Sequence, residues 1–168
     1  DGPTPIPTLE DLKNPLDEVI EPRATQEEMT NFIETELTES LKGLPTRTTQ
    51  FGRFDKGLAY TILMKYYMHE KNWAKAEECG RELLKAEYGY GLMDRYADIF
   101  TLENECNKEI IFACTEERGT NLQLWHDHAL PGNYPTQNTA IQKWDGYKVP
   151  WPFYRTFEEG DDRLSVLV

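Results

Sequence analysis

At 168 residues the chain fits a single domain able to bury roughly two-thirds of its unfolded surface, and a hydrophobic share of 39% supports a packed core. Its 30 acidic against 18 basic residues leave a net charge of −12, which repels phosphate backbones and anionic lipid headgroups and argues against nucleic-acid binding. The 3 cysteines, Cys79, Cys106 and Cys114, form no C-x-x-C pair, so neither a disulfide framework nor a cysteine zinc site is expected.

Residues 1–24 carry Pro3, Pro5, Pro7, Pro15 and Pro22, which forbid a long helix and predict an extended lead-in. Thr25-Gln26-Glu27-Glu28 then reads as a capping box. The helix it opens shows Met29, Phe32, Ile33, Leu37 and Leu41 on one stripe and stops at Gly43 before Pro45.

From Asp55 to His69 the chain is apolar nearly all round, which predicts a helix packed on several sides. After a break at Glu70-Lys71, Asn72 caps another helix whose expected inner face is Trp73, Ala76, Gly80, Leu83 and Leu84, with Glu77 and Arg81 paired on its wet side. The two helices make one tetratricopeptide-like hairpin, and a single hairpin needs a further helix to cover it.

Glu109–Cys114 is a short apolar run suited to a strand or a buried extended segment, with Cys114 inside it. Beyond it the periodicity disappears into a Gly- and Pro-broken, aromatic-rich stretch over 119–157, which predicts a long ordered loop region. The chain thus divides into a lead-in over 1–24, a helical part over 25–100 and a loop-rich extension over 101–168. The expected fold class is all-α, with tetratricopeptide-like hairpins in an α-α superhelix and little strand.

Several segments, taken in order, resemble the SusD/RagB family of outer-membrane nutrient-binding lipoproteins. They are Pro22-Arg23-Ala24-Thr25, Phe51-Gly52-Arg53-Phe54-Asp55-Lys56-Gly57, Asn72-Trp73-Ala74-Lys75-Ala76, Tyr96-Ala97-Asp98-Ile99-Phe100 followed by Asn107–Phe112, and Gly160-Asp161-Asp162-Arg163-Leu164. In the last of these Asp162 stands where the family usually has proline. The resemblance implies an internal piece of a larger protein, held at the outer surface of the cell outer membrane by a lipid anchor absent from this chain. It also implies delivery of a glycan or peptide to a TonB-dependent, SusC-like transporter, without catalysis and without a cofactor.

Sugars present apolar C–H faces rimmed by hydroxyls, so a capture site needs flat rings beside amide groups. Trp125, Tyr134, Trp144, Tyr147 and Trp151, with Asn133 and Asn138, are the ligand-binding candidates. Trp144 leads them because neighbouring Gly146 permits a sharp turn that would present it. Phe153 and Phe157 read as core.

His126 and His128 would face the same way on a strand, but two imidazoles make half a zinc site, and no metal is expected. Glu116-Glu117, Glu158-Glu159 and Asp161-Asp162 could suggest a glycoside hydrolase, although sequence neighbours do not establish the facing pair that reaction needs, and an Asp–Arg163 ion pair is expected instead. No catalytic residue is assigned. The alternatives are a tetratricopeptide-like peptide-binding module and, after it, a glycoside hydrolase.

Overall fold

The computed structural model describes residues 4–13, 22–116, 125–136 and 141–167, apart from the side chains of Leu12 and His126. Among the described residues the chain is all-α, as expected, and has no strand. It divides into two compact units, Asp1–Tyr88 and Gly89–Val168. Tyr88, nearly fully buried, is the last residue of the first unit.

In the first unit the lead-in contains a helical turn, α1 (Leu9–Lys13). Thr8 and Asp11 cap it reciprocally, since the Thr8 amide donates to the Asp11 carboxylate at 2.6 Å and the Asp11 amide to Thr8 Oγ1 at 3.3 Å. Pro7 confines it at the start, and the other described residues of the lead-in, 4–8 and 22–24, form no helix.

Helix α2 (Gln26–Gly43) starts at the Thr25–Glu28 capping box, with Thr25 N–H donating to the Glu28 carboxylate at 2.7 Å and Glu28 N–H to Thr25 Oγ1 at 3.2 Å. The Thr25 amide and, at 2.9 Å, the Thr25 hydroxyl both donate to the Glu28 carboxylate and hold it below its ordinary range.

Helices α3 (Lys56–His69) and α4 (Trp73–Leu83) pair antiparallel. Tyr67 lies against Lys75, Met64 against Gly80 and Tyr60 against Tyr88. Leu63 and Tyr67 of α3 meet Ala76 and Cys79 of α4, and Leu37 and Leu41 of α2 pack on that cluster. Burial in this core pushes the Cys79 thiol and the Tyr88 phenol up, the latter reinforced by Glu82.

The cover that one hairpin requires is therefore supplied by α2. Polar contacts fix it in place: Tyr66 Oη donates to Thr30 Oγ1 at 2.7 Å, Lys75 Nζ meets the Glu34 carboxylate at 2.9 Å, and Gln26 Nε2 donates to Glu70 Oε1 at 3.2 Å.

The inner face of α4 differs from expectation at both ends. Ala76, Cys79 and Leu83 are buried, whereas Trp73 and Leu84 are exposed. The wet-side pair forms as expected, Arg81 meeting Glu77 at 2.6 Å.

The turn from α3 to α4 is a Schellman motif. Asn72 N–H donates to Tyr67 O at 2.8 Å and Lys71 N–H to Met68 O at 3.1 Å, and Asn72 then caps α4 through the Lys75 amide. Lys71 occupies the left-handed position, φ 58°, that usually belongs to glycine. Lys71→Gly is accordingly expected to raise stability by about 1 kcal/mol in urea denaturation, and an unchanged or lower midpoint would refute the strain assigned to Lys71.

The second unit contains 3-10 turns at Tyr96–Phe100, Leu102–Asn104 and Asp162–Val166 and two short helices, α5 (Trp125–Ala129) and α6 (Trp151–Tyr154). Buried Asn107 ties its turns together: its amide donates to Ile99 O and Asn104 O, and its carbonyl accepts from Glu109 N–H. The run from Glu109 forms no strand; its first two amides, of Glu109 and Ile110, bond to Asn107, residues 109–113 are half-buried, and Cys114 is exposed rather than buried.

Asp162 fills the place where proline is usual in the resemblance, and it has a distinct use here. Its carboxylate accepts from Tyr96 N–H at 3.0 Å, a bond proline's ring could not make.

Candidate functional site

Helix α5 and the segment 142–148 are clasped by backbone hydrogen bonds. Trp144 N–H donates to Asp127 O at 2.8 Å, Gly146 N–H to His128 O at 2.8 Å, and Asp145 N–H to Leu130 O at 3.0 Å. This clasp brings the rings together in register. Trp125 lies 4.9 Å from Tyr147 at 39°, and His128 lies 4.5 Å from Trp144 edge-to-face at 80°.

The rings remain open to solvent, with Trp125 62%, Tyr147 57% and Trp144 46% exposed. Trp144 is oriented by its own indole, whose Nε1–H donates to Gln142 Oε1 at 2.8 Å. The indole is thus fixed at its edge by Gln142 and packed on His128, with about half of its surface left to solvent.

Gly146 is needed for a different reason from the one its neighbourhood suggests. The left-handed residue of the turn is Asp145, φ 55°, steadied by Lys148 at 2.9 Å. Gly146 is required by close approach, since a Cβ there would stand 2.9 Å from His128 O.

Asn133 and Tyr134 sit in a turn closed by Tyr134 N–H donating to Pro131 O at 2.9 Å, and Lys143 Nζ reaches Tyr134 O at 2.9 Å, joining that turn to the clasp segment. Asn133 is exposed and Tyr134 half-buried. Trp151 stands apart from the clasped rings: on α6 it packs edge-to-face on Tyr154 at 5.4 Å and is 69% exposed. Asn138 lies outside the described residues.

Phe153 is exposed rather than core, although it does meet Phe157 at 5.5 Å. His128 was missed as part of the platform. The strand geometry in which 126 and 128 would share a face is replaced by the helix α5. Its partnership with Trp144 depends on register between distant segments, which no local pattern encodes.

An open, polar hollow of about 340 Å³ lies beside α6, lined by Thr156, Glu158, Glu159, Gly160, Asp161 and Arg163. The expected ion pair is here: Arg163 Nε donates to Asp161 Oδ1 at 2.9 Å and its guanidinium lies over the Phe157 ring at 4.9 Å. Hydrogen bonding from Arg163 holds the Asp161 carboxyl below its usual range, which keeps it charged where a glycosidase acid must keep its proton.

Among the described residues no cluster of His, Cys, Asp and Glu could hold a metal ion, and no helix is long and apolar enough to cross a membrane. Compared with known proteins, the chain matches no family model, no curated protein and no solved structure.

Proposed function

We propose that this protein captures glycans without cleaving them, as a SusD/RagB-type component at the outer surface of the bacterial outer membrane that hands its cargo to a TonB-dependent transporter. The observation that carries the reading is the clasped, solvent-open group of Trp125, Tyr147 and Trp144 with His128. Exposed rings held by backbone bonds cost little further ordering when a sugar face settles on them. The ordered segments from Pro22 to Leu164 support the family, and the α3–α4 hairpin covered by α2 suits a tetratricopeptide-like frame.

Titration of the protein with a panel of neutral oligosaccharides, read by tryptophan fluorescence and calorimetry, tests the reading. Saturable binding is expected, and Trp144→Ala is expected to weaken it about three- to tenfold, the worth of one aromatic contact. Failure of every glycan to bind, with saturation by a tryptic peptide mixture, would favour the peptide-binding alternative. Release of reducing ends would favour a hydrolase.

A further inference from the structure

We infer that the site takes an uncharged glycan and contacts at least two of its consecutive sugar units at once, an inference that rests on the glycan-binding reading above. The ring pairs run antiparallel: Trp125 pairs with Tyr147, and His128, one turn further along α5, pairs with Trp144. Residues three apart on a helix are separated by about 5–6 Å at Cβ, comparable to the advance of a glycan chain per sugar unit. Each pair therefore offers a place for one sugar, and the clasp fixes the spacing between the two places through the Trp144, Asp145 and Gly146 amides.

Charge sets the class of sugar. The stretch 125–149 contains no arginine, and its lysines are Lys143 and Lys148. Lys143 Nζ is engaged by Tyr134 O at 2.9 Å and Lys148 Nζ by the Asp145 carboxylate at 2.9 Å. A uronate or sulfate would have to draw one of these lysines from its partner, a small cost for the exposed Lys148 pair, and to enter the field of a chain of net charge −12. A neutral sugar meets no such obstacle, because its C–H face needs only the rings and its hydroxyls only polar groups such as Asn133 and Gln142.

The test is calorimetry on the full 168-residue chain, at low and physiological salt, with glucose, cellobiose, the tetrasaccharides of glucose, mannose and xylose, and tetragalacturonate as probes. At least one neutral tetrasaccharide should saturate the site with an affinity independent of salt. Cellobiose should bind roughly tenfold more tightly than glucose, and tetragalacturonate roughly tenfold more weakly than the best neutral tetrasaccharide.

Tyr147→Ala, at a residue 57% exposed, should shrink the step from glucose to cellobiose to about threefold or less, while Tyr147→Phe keeps it. Glucose binding as tightly as cellobiose, tetragalacturonate matching the neutral probes, or a full step surviving in Tyr147→Ala would each overturn the inference while leaving glycan capture standing. Absence of saturation by any probe would remove both.

Discussion

Asp55→Ala is expected to lower the stability of the helical unit by about 2–4 kcal/mol, measured as a drop in the urea midpoint followed by helical circular dichroism. Asp55 is buried and uses both carboxylate oxygens: Oδ1 accepts from Leu58 N–H at 3.0 Å, capping α3, and Oδ2 accepts from Thr48 N–H at 3.1 Å, anchoring the preceding turn. Loss of a helix cap costs about 0.5–2 kcal/mol, and a buried amide left without its acceptor costs about 1–3 kcal/mol more. Asp55→Asn retains an oxygen for only one of the two amides, so it should fall between the wild type and alanine. Equal loss in both variants would show that the charge, rather than the paired acceptors, is what matters.

Gly146→Ala is expected to reduce oligosaccharide affinity more than tenfold, a larger effect than removing any single ring, because it disturbs both ring pairs together. The new Cβ would lie 2.9 Å from a backbone oxygen, His128 O, which cannot swing aside as a side chain would. Relief requires α5 and the 142–148 segment to separate, and with them the contacts of Trp125 with Tyr147 and of His128 with Trp144. Gly132 provides the comparison, since a Cβ there meets nothing within 4 Å, and Gly132→Ala should bind as the wild type does. Near-ultraviolet circular dichroism, which reports fixed tryptophans, should change for Gly146→Ala alone. Retention of both that signal and the affinity would contradict the clasp.

The helical unit was largely legible in the sequence because its signals are local. A reciprocal hydrogen bond between residues three apart, as at Thr25 and Glu28, needs nothing beyond its own turn, and Asn72 announced α4 in the same way. The Thr8–Asp11 cap follows the same rule but was hidden among prolines.

Faces were harder than positions. A period of about 100° per residue points Trp73 and Leu84 toward the flanks of the Ala76–Leu83 stripe, and only a neighbouring element decides whether a flank is covered. Of the two readings of the Glu109–Cys114 run, the strand is absent among the described residues and a half-buried stretch over 109–113 remains, with the Glu109 and Ile110 amides bonded to Asn107.

Of the binding candidates, Trp125, Trp144 and Tyr147 come together as a group, Asn133 and Tyr134 are tethered to it through Lys143, and Trp151 pairs elsewhere. Composition identified the aromatic residues of the stretch that the clasp organises. It could not align 125 with 147 or 128 with 144, because that register is written in amide-to-carbonyl bonds that any sequence could make and in one glycine that permits them.

The bond from Tyr96 N–H to the Asp162 carboxylate joins positions 66 apart in sequence, with the packed rings of Tyr96 and Phe100 nearby at 5.1 Å. The closure entropy of so long a span rises only slowly with its length, by about 0.6 kcal/mol for each doubling. A change in the length of the stretch between the two anchor points therefore adds little to the entropy cost of closing it.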